Sequence, residues 1–195
     1  MIIGITGGTG CGKTTLLNEI RNLGGTVLDC DAIYHQLLLS DREMRSAIEA
    51  RFPGVIEAGT LNRKKLGNIV FADPHALLDL NAITHAAVKQ EVLRQLESRP
   101  ALAAIDAIGL FEGGLAELCD VTVAVTAPRE QRIRRLMARD GISEEYACSR
   151  IDAQHSDNWF REKCTCTLEN NEGLDAFATK CVAFLRHLGI MKENL

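Results

Sequence analysis

Between an apolar run, Ile2-Ile3-Gly4-Ile5, and a helical pattern opening at Thr14, the chain reads Gly7, four residues, then Gly12-Lys13-Thr14. No other stretch restricts the fold so strongly. Glycines let backbone N–H groups turn inward around a phosphate, and the helix that follows adds its positive end. In this spacing a lysine reaches the β- and γ-phosphates and the next hydroxyl ligates Mg²⁺. The pattern predicts a bound nucleoside triphosphate, with Mg²⁺ on Thr14. Gly8, Gly10, Cys11, Gly12, Lys13, Thr14 and Thr15 are the binding residues.

The flanking periodicities agree with that placement. Leu16, Leu17, Ile20 and Leu23 share a helical face, Gly24-Gly25 ends the helix, and Thr26-Val27-Leu28 reads as a second strand. Strand, helix, strand is a right-handed crossover, hence a parallel sheet. Further strands are predicted over Leu102 to Ile105, Val121 to Val125 and Thr165 to Leu168, with a closing helix from Leu174 to Leu188. The fold class is α/β, a P-loop NTPase three-layer fold with a parallel sheet, a helical acceptor-binding insertion and a small lid. Residues 32–100 form the insertion, because apolar residues recur there at helical spacing, punctuated by Pro53-Gly54 and Asp73-Pro74. Residues 1–31 and 101–195 form the nucleotide-binding core, with the lid at about 134–157. Pro128 starts a basic helix carrying Arg129, Arg132, Arg134, Arg135 and Arg139, of which Arg132, Arg135 and Arg139 fall on one side. Ser143 caps the next helix, which runs to Gln154.

Composition removes other classes. A net charge of −4 leaves no electrostatic footprint for nucleic acid. Seven cysteines, an odd and scattered number, do not form a disulfide framework, and Cys164-Thr165-Cys166 has no second ligand pair for zinc. The N-terminus opens directly into a strand, and no apolar run approaches membrane-spanning length. A cytoplasmic monomer with no membrane partner is the expectation.

A GTPase switch, a regulatory nucleotide binder and a small-molecule kinase all use such a loop. Asp106-Ala107-Ile108-Gly109 matches the second motif of the switches, yet their Asn-Lys-x-Asp guanine reader is absent. A kinase needs a carboxylate beyond a neighbouring strand to orient an acceptor hydroxyl, and Asp29-Cys30-Asp31 supplies two after the second strand. Cationic partners for the transferred phosphoryl group are expected from the basic helix.

In addition, the chain resembles the dephospho-coenzyme A kinases through most of its length. The resemblance rests on Thr6-Gly7-Gly8-Thr9-Gly10-Cys11-Gly12-Lys13-Thr14-Thr15, Asp29-Cys30-Asp31, and Arg63 with Leu66 and Val70-Phe71-Ala72-Asp73. It continues in Ile83-Thr84-His85, Leu110-Phe111-Glu112, Arg135 to Asp140, Arg150-Ile151 with Gln154, and Asn170. It implies ATP-dependent phosphorylation of the ribose 3′-hydroxyl of dephospho-CoA, giving CoA and ADP. It further implies Asp31 as base, Lys13 and Arg139 on the phosphates and Asn170 at the nucleotide. Thr6, Asp31, Arg63, His85, Phe111 and Glu112 would then contact the acceptor. Three departures from the family pattern are Ala86, Ile108-Gly109 and Cys164-Thr165; none removes a charged catalytic group.

Overall fold

A computed structural model describes residues 1–57 and 59–190 of the chain. They fall into two compact units. The first comprises Met1–Leu28, Pro100–Leu110 and the described chain from Ala116 onward; the second comprises Asp29–Arg99 and Phe111–Leu115. Asp31 thus belongs to the helical unit, as does the short segment carrying Phe111 and Glu112.

The first unit is built on a five-stranded sheet. Strand β1 (Ile2–Thr6) lies at its centre, between β5 (Ala103–Asp106) and β6 (Val121–Thr126), both parallel to it. Strand β2 (Thr26–Asp29) lies outside β5, and β7 (Cys166–Glu169) pairs in parallel with β6. Ile3 and Ile5, two residues apart on β1, point to one face of the sheet and are fully buried there. Helix α1 (Lys13–Asn22) covers one face through Leu16, Leu17 and Ile20. Helix α9 (Leu174–His187) joins it there, with Phe177, Cys181 and Leu185 at four-residue spacing.

The rest of this unit is helical. Helix α6 (Arg129–Asp140) and helix α7 (Glu144–Asp152) pack through Ile133, Leu136, Ala147 and Ile151. Helix α8 (Asp157–Lys163), which the sequence reading left out, is only two turns long. Its one early sign is Ser156, whose hydroxyl accepts from the Trp159 N–H at 3.2 Å.

In the second unit the long helix α5 (Pro74–Leu96) packs against α2 (Cys30–Ser40), α3 (Arg42–Arg51) and α4 (Arg63–Ala72). Leu38, Met44, Ile48, Phe52, Leu66 and Val70 form the core. Asp73 caps α5 by accepting from the His75 N–H at 2.9 Å, and Pro74 occupies its first turn. The unit is not wholly helical: Ile56–Glu57 (β3) and Thr60–Leu61 (β4) form an antiparallel hairpin beyond Pro53-Gly54. Two-residue strands carry no readable alternation, so the helical expectation over 32–100 missed it.

Candidate active site

The strand-to-helix loop is where local sequence and tertiary packing agree most closely. Gly7, Gly10 and Gly12 take φ of 136°, 77° and 100°, a left-handed region that side-chain-bearing residues rarely enter. Cys11 donates its N–H to the Gly8 carbonyl at 3.3 Å, closing the turn. Three successive carbonyls are held from the protein side. Arg132 Nε donates to Thr9 O at 2.8 Å, Arg135 Nη1 to Gly10 O at 3.2 Å, and Asn170 Nδ2 to Cys11 O at 2.9 Å. In a trans peptide the carbonyl and the next N–H point opposite ways. Anchoring those carbonyls therefore aims the N–H groups of Gly10 and Gly12 to the other side, where an anion would lie, while the Cys11 N–H stays on Gly8 O.

Lys13 donates its ammonium to Gly7 O at 2.9 Å, back across the loop. Thr14 is exposed in the first turn of α1. Among the described residues no group of three or more His, Cys, Asp or Glu side chains could hold a metal. An exposed hydroxyl alone suits a small hard cation that takes its remaining ligands from phosphate and water, and so fits Mg²⁺.

Several expected residues face inward. Thr6 is fully buried and its hydroxyl donates to Ile108 O at 3.2 Å, tying β1 to the chain after β5. The Cys11 side chain is buried in the core, where desolvation raises its thiol pKa. Asn170 is buried too: besides holding Cys11 O, its Oδ1 accepts from Arg135 Nη2 at 3.2 Å. These three side chains therefore shape the loop instead of lining its open face.

The basic helix is divided in a way its spacing did not reveal. Arg132 and Arg139 lie on one stripe, but seven residues apart, about 10 Å along the axis. Arg132 and Arg135 reach the loop; Arg139 lies beyond it, with its side chain 61% exposed. There Asp140 accepts from Arg139 Nε at 2.7 Å and Nη2 at 2.9 Å, and from Arg150 Nη1 at 2.6 Å. The Arg139 hydrogen bond is the main cause pulling the Asp140 carboxyl down to about 2. Asp157, which the sequence reading did not single out, accepts from Arg132 Nη1 at 3.0 Å.

The remaining candidates belong to the helical unit. Asp29, the last residue of β2, and Asp31 do not share a strand face, because the chain turns helical at Cys30. Asp29 is the N-cap, its Oδ1 accepting from the Ala32 N–H at 3.0 Å, while Asp31 is exposed in the first turn of α2. Arg63 opens α4 and, with Tyr34, His35, Leu66 and Phe71, lines a cavity of about 220 Å³. Desolvation pushes the Tyr34 phenol up. His85 is half-buried on α5. Phe111 is half-buried and Glu112 exposed in a turn closed by Gly114 N–H to Phe111 O at 3.0 Å.

The family model described as dephospho-CoA kinase matches residues 1–176. A dephospho-CoA kinase of Deinococcus radiodurans is 36% identical over 196 residues, covering 96% of this chain and 92% of the relative. A solved structure from Thermus thermophilus has a TM-score of 0.79 at 35% identity, covering 96% of this chain and 97% of the other. The dephospho-CoA kinase of Campylobacter jejuni has a TM-score of 0.68 at 25% identity, covering 97% and 98%. A phosphate loop at a central parallel strand, with these relatives along nearly the whole chain, means that the protein belongs to the dephospho-CoA kinase family, the ATP-dependent kinases of the last step of coenzyme A synthesis.

Proposed function

We propose that Asp31 is the base of this kinase, and that Lys13, Thr14 and Arg139 serve the transferred phosphoryl group. The observation that carries this reading is the different use of two neighbouring carboxylates. Asp29 is committed to the cap of α2, whereas Asp31 is exposed one residue into the helix.

In the reaction, the ribose 3′-oxygen of dephospho-CoA bonds to the γ-phosphorus while the bond from that phosphorus to the β,γ-bridging oxygen breaks. The hydroxyl proton passes to Asp31, and ADP leaves with the electron pair. A carboxylate is a weak base towards an alcohol, so Asp31 orients the hydroxyl first and collects the proton as the new bond forms. Lys13 leaves Gly7 O for the β- and γ-phosphates, and Arg139 leaves Asp140 to meet charge on the γ-phosphoryl oxygens. The Thr14 hydroxyl would hold Mg²⁺, which would supply charge neutralisation for the phosphates.

Within this reading the nucleotide-binding core carries the lid, and the helical unit receives the acceptor through Arg63, His85, Phe111 and Glu112. Gly8, Gly10, Cys11, Gly12 and Thr15 serve ATP through the loop backbone, which Thr6 and Asn170 support. The kinase acts as a monomer in the cytoplasm; seven reduced cysteines suit a reducing compartment. A coupled ADP-release assay tests the acceptor. Dephospho-CoA should be turned over far faster than adenosine or a nucleoside monophosphate; the opposite order would indicate a nucleoside or nucleotide kinase.

A further inference from the structure

Arg132 sits in the basic helix expected to face the phosphates, yet it is only 4% exposed. All three of its nitrogen atoms are engaged by protein. Nε donates to Thr9 O at 2.8 Å, Nη1 to Asp157 Oδ1 at 3.0 Å, and Nη2 to Gln154 Oε1 at 3.5 Å. The same Gln154 oxygen accepts the Thr9 N–H at 2.8 Å. Both backbone polar groups of Thr9 are thus fixed, by one guanidinium and one amide. A buried arginine needs a counter-charge, which Asp157 at the start of α8 provides.

The loop glycines bear the imprint of this contact. A Cβ on Gly8 would overlap the Arg132 guanidinium, and a Cβ on Gly10 would come within 2.9 Å of the Arg132 carbonyl oxygen. At both positions the absent side chain makes room for α6.

We propose that Arg132 is a positioning residue, a buried strut that sets the loop's N–H groups for phosphate without touching the nucleotide, and that Asp157 and Gln154 hold it in place. This rests on the phosphate-loop part of the functional reading and is independent of which acceptor is used. Lysine cannot replace the strut, because one ammonium cannot span Thr9 O, Asp157 and Gln154 as a planar fork does. Without the strut the loop's N–H groups lose their aim at every phosphate they meet, α and β as well as γ.

Calorimetric affinities for ATP and for ADP, with no acceptor present, test this on the wild type, Arg132→Lys and the milder Asp157→Asn. Melting temperatures and steady-state constants for each protein complete the set. A misplacement of this kind costs ~10- to 100-fold, and both nucleotides should lose affinity by the same factor, with the KM for acceptor unmoved. If ATP binding weakens while ADP binding holds, Arg132 is a direct γ-phosphate ligand and the proposal fails. It fails equally if both affinities stay at the wild-type value while only the melting temperature falls. A wrong acceptor assignment would leave both nucleotide affinities as predicted, so the two failures are separable.

Discussion

The ammonium of Lys13 lies 2.9 Å from the carbonyl oxygen of Gly7, so the first residue of α1 reaches back to the first glycine of the loop that precedes it. In the proposed reaction a flexible four-carbon stem carries the charge from that contact to the phosphates. Lys13→Ala should lower kcat by ~10²- to 10³-fold, the usual cost of one donor aimed at developing charge, and weaken ATP binding. Its circular dichroism should match the wild type. A folded Lys13→Ala protein with normal turnover would contradict the role.

Asp29 and Asp31 should separate cleanly. Asparagine caps a helix about as well as aspartate, so Asp29→Asn should keep both stability and turnover. Asp29→Ala should cost ~1 kcal/mol in urea denaturation through the lost cap. Asp31→Asn should lower kcat by ~10²- to 10⁴-fold and barely move the affinity for ATP. An inactive, folded Asp29→Asn beside an active Asp31→Asn would reverse the assignment.

What the sequence disclosed and what it hid follow from how local each feature is. The loop, its flanking strand and helix, and the parallel sheet are written within short stretches, because glycine spacing and apolar periodicity act over a few residues. The hairpin at Ile56–Glu57 and Thr60–Leu61 and the two-turn α8 are too short to show a period. The division of the basic helix was hidden for another reason. Arg132 and Arg139 look alike in sequence, but one is buried by Thr9, 123 residues earlier, and by Asp157, 25 residues later. The resemblance already picks Asp31 over Asp29, but the physical difference between them, a helix cap against an exposed first-turn carboxylate, follows from the chain turning helical at Cys30.

Arg139, Asp140 and Arg150 form a surface cluster whose pH dependence has a definite sign. The folded pKa of Asp140, about 2, lies below the ordinary carboxylate value near 4. Its stabilising effect is therefore full above that ordinary value and is lost as pH falls towards 2. Denaturation of wild type and Asp140→Asn should show a stability difference that is constant near neutrality and vanishes between about pH 4 and pH 2. A difference that persists or grows in acid would contradict the pairing. Arg139→Ala should reduce kcat by ~10²-fold or more, with the KM for acceptor little changed.

The thiols should be unreactive where burial raises them. Desolvation pushes Cys119 and Cys181 to about 12 and Cys164 to about 11, and raises buried Cys11. Since the thiolate is the reacting form, iodoacetamide at pH 7.5 should leave these four unmodified in the folded protein and alkylate them in urea. Mass spectrometry reads the sites. Rapid native modification of Cys11, quenched by ATP, would place its side chain on the ligand side of the loop, against its burial in the core.

The central claim is that this chain transfers the γ-phosphoryl group of ATP to the ribose 3′-oxygen of dephospho-CoA. The most direct measurement is phosphorus NMR of the product of ATP, Mg²⁺ and dephospho-CoA after turnover by the purified protein. The account predicts one new phosphomonoester resonance coupled to the ribose 3′ proton, an intact diphosphate bridge, and ADP equal in amount to that monoester. ADP formed without the monoester, or phosphate appearing at any other oxygen of the acceptor, would contradict it.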